Sequence, residues 1–318
     1  IRMIVGHHHI SMYTRDVGKN DFFYTKVLGL RRVKVSVNQD SPFMYHVFYG
    51  DLTGSAGTEL TFFEIPAIGN TYHGTNAITQ IGLLVSSYES LLYWQKRLSE
   101  FHVKQSEITK YVGHDVLHFE DPEGLRLVFI NNEGNPVRSE WQVWDGSDVP
   151  SEYRILGMGP VEITVESLDS LANMLERLFG YSKVSRTDTE AVYQAVLGEL
   201  FGEIIIKQLN GPKERPGKGS IHHLAIQIEG TNRLKWDEKI QAFGYRTTGV
   251  VDRFYFKSIY FREENGIIFE VVSDEPGFTV DSTVEELGTK LDLPPFLQER
   301  RDEIEAQLTP IDNWHESL

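Results

Sequence analysis

The chain switches between two hydrophobic periods, and it does so four times. Four short stretches carry apolar residues at every second position. Each leads into an amphipathic helical pattern and then into β-branched and aromatic runs. The first stretch is His8-His9-Ile10-Ser11-Met12-Tyr13, followed by a helical pattern over Asn20 to Leu30. The second runs from Thr79 to Val85, with a helix from about Ser87 to Phe101. The third is Val161-Glu162-Ile163-Thr164-Val165, and the fourth His222-His223-Leu224-Ala225-Ile226-Gln227-Ile228; their helices close at Gly180 and Gly244.

The spacing repeats with the pattern. From the aliphatic strand residue to the glycine after the helix is 19 residues in the first copy (10 to 29), 17 in the third (163 to 180) and 20 in the fourth (224 to 244). The second copy has Glu100 at the matching place, 19 after Ile81. Glycine just past a helix is a left-handed cap. A glycine also opens the last strand of every copy, at Gly57, Gly124, Gly202 and Gly266.

Each copy therefore reads strand–helix–three strands, and its sheet has a second face that no helix covers. The expected fold is α+β, four βαβββ modules paired into two domains with curved mixed sheets. The expected division is a first pair of modules over 6–131, a turn-rich linker over 132–156 and a second pair over 157–273. An acidic tail with a proline-started, solvated helix follows over 274–318.

Composition narrows the partners. The 318 residues suit two domains or one duplicated unit. A net charge of −15 argues against nucleic acid and anionic membrane surfaces. No apolar run is long enough to span a bilayer, and Ile1 to Gly6 is too short for a secretion signal. With no cysteine, thiolate metal sites, disulfides and cysteine nucleophiles drop out. A cytoplasmic address is expected, and homo-oligomerisation is left open.

Chemistry shows where the copies differ. The residues before the strand aliphatics are His9, Gln80, Glu162 and His223; four residues after the last-strand glycines stand Thr61, Val128, Ile206 and Glu270. Glu270 lies in an apolar strand, where an ionised carboxylate requires a cation. Two histidines and one carboxylate form a facial triad that suits Fe(II) or Mn(II). Strand alternation puts His9 and His223 on the face away from the helices, and His8 and His222 on the other. No phosphate-cradling glycine loop or nucleophile elbow accompanies them.

The repeated units, the His-His-Ile and His-His-Leu strands and the closing Gly-x-x-x-Glu strand resemble the vicinal oxygen chelate superfamily. Within it, the hydroquinone ring-cleaving dioxygenases are most similar, through Gly29-Leu30-Arg31, Val37-Asn38-Gln39-Asp40, Tyr45-His46 and Leu293-Pro294-Pro295-Phe296-Leu297. The resemblance implies an Fe(II) or Mn(II) enzyme that cleaves a small aromatic with O2, with His9, His223 and Glu270 as ligands. It also implies Tyr260, Arg253 and His222 as catalytic groups, and His8, Ser11 and Arg253 as substrate contacts. Two rivals are weighed against it. A glyoxalase-type isomerase needs a fourth ligand, for which Glu59 is the candidate. A metal-free binding protein has no reason to keep the triad.

Overall fold

The computed structural model describes residues 4–230, 232–273, 276–316 and 318. Module one contains β1 (Ile4–Thr14), α1 (Val17–Asp21), β2 (Arg31–Asn38), β3 (Ser41–Gly50) and β4 (Glu59–Glu64). Module two contains β5 (Ala77–Val85), α2 (Tyr88–Glu100), β6 (Thr109–Tyr111), β7 (His114–Glu120) and β8 (Arg126–Asn131). Module three contains β9 (Gly157–Val165), α3 (Leu168–Arg177), β10 (Ser182–Arg186), β11 (Glu190–Gln194) and β12 (Glu203–Gln208). Module four contains β13 (Ile221–Ile228), α4 (Arg233–Phe243), β14 (Val251–Asp252), β15 (Lys257–Arg262) and β16 (Ile268–Ser273). The fold is α+β.

The helices start and stop where the side chains dictate. Ser87 and Ser167 cap α2 and α3 by accepting from the backbone N–H three residues on. Gly244 ends α4 at φ 119°, a left-handed conformation that glycine adopts without a Cβ penalty. The first helix begins at Val17, earlier than Asn20, because Asp16 caps it; it continues as a π-helical turn over Phe22–Val27.

The strands form two eight-stranded mixed sheets. One has the order β14-β15-β16-β13-β1-β4-β3-β2, the other β10-β11-β12-β9-β5-β8-β7-β6. Module one thus pairs with module four, and module two with module three. Each sheet therefore joins one module from each of the consecutive stretches 6–131 and 157–273. The physical reason is that first strands pair antiparallel across the chain, β1 on β13 and β5 on β9.

In the first sheet, Ile10, Met12, Leu60, Phe62, Leu224 and Ile226 are buried in the main core beneath the helices. Truncating one of these to alanine costs about 2–5 kcal/mol. A separate cluster joins Val33, Phe48, Ala225, Tyr255, Phe256, Val272 and Phe278. It walls the side that the helices leave open.

The tail is less solvated than its composition suggests. A 3-10 turn over Pro295–Arg300 runs into α5 (Arg301–Gln307), and Leu297 and Ile304 are buried with Val37 and Leu293. Lys34 of β2 is wholly buried and binds Asp281 at 2.7 Å and Asp292 at 2.8 Å, tying the tail to the first sheet.

Candidate active site

Register across the first sheet assembles the site. His9 pairs with Ala225, Ala225 with Glu270, and Glu270 with Tyr260, which sets one row of side chains across four strands. Ser11 pairs with both Thr61 and His223, which forms the adjacent row. His9, Glu270 and Tyr260 thus share the open face with Ser11 and His223.

The three proposed ligands converge. His9 Nε2 lies 3.1 Å from Glu270 Oε1, and His223 Nε2 lies 2.8 Å from the same oxygen. All three ligand atoms are within 4.8 Å of one another, and all three residues are buried. Donors about 2.1 Å from a shared ion and at right angles stand about 3 Å apart, so these two contacts suit one side of a first-row metal site. Two imidazoles and one carboxylate, drawn together in a buried place, fit a divalent cation. Ser258 Oγ donates to the other Glu270 oxygen at 2.6 Å and fixes its orientation.

Both histidine pairs are built alike. His8 Nδ1 is 2.8 Å from His9 Nδ1, and His222 Nδ1 is 2.7 Å from His223 Nδ1. A ligand histidine that offers the Nε2 lone pair carries its proton on Nδ1. It then donates to the neighbouring Nδ1, which leaves the neighbour's own proton on Nε2. The preceding histidine therefore fixes both tautomer and ring orientation.

Strand alternation misplaces these two neighbours, and bulges explain the error. The β1–β13 register jumps from His7/Ile226 to His9/Ala225, and from Ser11/His223 to Met12/Ile221. His8 and His222 are the extra residues, and a bulge re-aims side chains. Their surroundings then differ. His222 lines the cleft, whereas His8 is fully buried behind His9, against Phe256, and is absent from the cleft wall. The expected contact between His8 and substrate is therefore not met at the cleft wall, and His8 instead hydrogen-bonds His9.

The ligand set forms the floor of a cleft of about 340 Å³ lined by Ser11, His46, Phe48, Arg253, Phe256 and Tyr260, among others. Burial, with the nearby His223, lowers His222 to a pKa of about 4, so its imidazole is neutral at pH 7. Burial also holds His46 well below the usual histidine range. Burial and the Glu270 charge push the Tyr260 phenol up, against the pull of Arg253. Burial opposes ionisation of Glu270, but the charges of His9 and His223 and their hydrogen bonds outweigh it and depress its pKa.

Glu59 does not join the ligand set. It sits 3.6 Å from His8 Nδ1, and the ligand cluster found among the described residues contains only His9, His223 and Glu270. The fourth ligand of the isomerase reading is not assembled. In the second sheet the corresponding place is closed by hydrogen bonds: Gln80 meets His118 at 3.0 Å, and Glu162 accepts from Thr79 and Tyr111. Val128 and Ile206 are core residues.

Comparison with known proteins decides the family. The glyoxalase/bleomycin resistance protein/dioxygenase superfamily model matches residues 6–129. The Bacillus subtilis (strain 168) protein named "Putative ring-cleaving dioxygenase MhqA" is 46% identical over 96% of this chain and 98% of its own. This chain belongs to the glyoxalase/bleomycin resistance protein/dioxygenase superfamily. A second relative in the superfamily, the chlorohydroquinone/hydroquinone 1,2-dioxygenase of Sphingobium indicum, is 28% identical over 95% of each chain. The crystal structure of a Bacillus subtilis (strain 168) protein named "putative dioxygenase" superposes with a TM-score of 0.89 at 32% identity, covering 98% of both chains. Maize glyoxalase I shares the fold at TM-score 0.63 and 13% identity, covering 85% of this chain and 92% of its own.

Several cleft-lining residues escape a reading of the repeats. His46 lies in β3, two residues before Phe48, and reaches Thr61 Oγ1 at 3.2 Å. Alternation from Phe48 could have placed it on the open face. Asp40 and Phe256 come from turns, where no period applies.

Proposed function

We propose that this protein is a ring-cleaving dioxygenase for hydroquinone-type aromatics, with Fe(II), or Mn(II) in its place, held by His9, His223 and Glu270. The observation that carries the reading is the convergence of these ligands at the floor of a small cleft walled by Phe48, Phe63, Phe256 and Tyr260. When bound, the metal supplies the redox link between an electron-rich diol ring and O2. A site with three protein ligands leaves room for both reactants.

The chain's own residues do the remainder. The aromatic walls hold the ring by its faces and keep water from the reacting atoms. His222, neutral and with its proton on Nε2, donates to a substrate oxygen at the cleft. Tyr260 keeps its phenolic proton at neutral pH and exchanges it with a ring hydroxyl or a developing oxyanion. Arg253 stands with its guanidinium 5.4 Å from the centre of the Tyr260 ring and orients the far hydroxyl. Ser11, hydrogen-bonded to Thr61 Oγ1 at 2.7 Å, offers a fixed hydroxyl beside the ligands.

Ring opening between a hydroxylated carbon and its neighbour follows from a diol whose hydroxyls stand opposite each other. The test is oxygen uptake by Fe(II)-loaded protein given hydroquinone, catechol or a methylglyoxal–thiol adduct. Uptake of one O2 per hydroquinone consumed is the expected result. Isomerisation of the thiol adduct without oxygen uptake would refute it.

A further inference from the structure

The cleft has one permanently charged cation among its described lining residues, Arg253, and that cation is already engaged. Its Nη1 and Nη2 donate to the two carboxylate oxygens of Asp40 at 3.1 and 3.2 Å, a fork-to-fork pair. The two residues come from different modules, Asp40 from the β2–β3 turn and Arg253 from the turn between β14 and β15. A further bond ties the turns together: Gln39 Nε2 donates to the Arg253 carbonyl at 2.7 Å. The Arg253 turn is itself constrained, with Arg253 N–H donating to the Phe256 carbonyl at 2.8 Å and Phe254 at φ 69°. Arg253 thus has little freedom to leave Asp40.

We infer that Asp40 is a specificity-determining residue: by neutralising Arg253 at the cleft mouth, it selects uncharged aromatic diols and rejects rings that bear a carboxylate. The inference rests on the proposed dioxygenase reading and refines its substrate class. A ring carboxylate brought to Arg253 meets a guanidinium whose Nη1/Nη2 edge is already paired with Asp40, and a like charge that repels it. A neutral hydroxyl needs only one N–H edge and no counter-charge. The side chain of Asp40 is 74% exposed, whereas that of Arg253 is 25% exposed, so the acid is replaceable without opening the core.

The test is anaerobic calorimetric binding of hydroquinone and 2,5-dihydroxybenzoate to Fe(II)-loaded protein, in wild type, Asp40→Asn, Asp40→Glu and the double variant Asp40→Asn/Arg253→Gln. In Asp40→Asn, preference for hydroquinone over the carboxylate is expected to fall about tenfold. Asp40→Glu should retain most of the wild-type preference. The double variant should lose the gain, because the freed guanidinium is gone. The Asp40→Asn effect should also shrink at high salt, since the mouth is open to solvent. An unchanged preference in Asp40→Asn overturns the inference, as does an equal fall in the double variant, which would mark a diffuse charge effect. Either result, with hydroquinone still driving oxygen uptake in wild type, leaves the dioxygenase reading standing. If wild type binds neither compound and takes up no oxygen, both fall.

Discussion

Replacing Glu270 by glutamine keeps shape and volume while removing the one anionic ligand. The side chain is 1% exposed, so solvent supplies no substitute charge. Glu270 Oε1 lies 3.1 and 2.8 Å from the two imidazole nitrogens, and its Oε2 accepts from Ser258. Losing a partner that merely orients a ligand costs about 10–100-fold in metal affinity. Losing the charged ligand itself must exceed that, so Glu270→Gln should bind Fe(II) at least about 100-fold more weakly, or about 2.7 kcal/mol. Glu59→Gln changes a residue outside the ligand cluster, 3.6 Å from His8 Nδ1, and should cost no more than about tenfold. The assay is anaerobic equilibrium dialysis with iron quantified. Wild-type iron affinity in Glu270→Gln, or equal losses in both variants, would refute the three-ligand site.

Three other outcomes are expected. Tyr260→Phe should fold, keep iron and bind hydroquinone, while single-turnover oxygen uptake slows by about 10²–10⁴; unchanged uptake would return Tyr260 to a packing role. Lys34→Met leaves Asp281 and Asp292 without their buried cation and should lower stability by about 3–5 kcal/mol, read from the urea midpoint. Glu203 is raised to a pKa of about 7 by burial, against a hydrogen bond from Gln194. A raised carboxyl contributes stability at low pH and loses it as pH rises, here by about 3 kcal/mol between pH 4.5 and 7. Glu203→Gln should flatten that decline in urea midpoints measured across the window.

How much of this was legible follows from which residues obey a period. The triad emerged from comparing copies, because His9, His223 and Glu270 occupy repeat positions where the other copies keep Gln80, Glu162, Val128, Ile206 and Thr61. Their convergence needed only that modules one and four pair, which β1 on β13 accomplishes. The faces of His8 and His222 were misread because a bulge adds one residue, and a period of two carries no information across an insertion. The α+β modules were readable because alternation and capping are local. That module one pairs with module four followed only from requiring the triad to converge, because the partner of β1 lies more than 200 residues away.

The cleft wall was the least legible part, and its physical origin explains why. Phe256, Arg253 and Asp40 sit in turns, and their places depend on contacts with distant segments. Tyr255, beside Phe256, donates from its hydroxyl to Asp281 at 2.7 Å, and Asp281 in turn binds the buried Lys34. An acidic tail that reads in sequence as a solvated helix thus braces the turn from which Arg253 and Phe256 project. The proposed metal ligands stand on strands fixed by sheet register, while the groups proposed to choose the substrate stand on turns held by ion pairs. Changes in the tail or in the turns should therefore alter which ring is accepted before they alter whether metal is held.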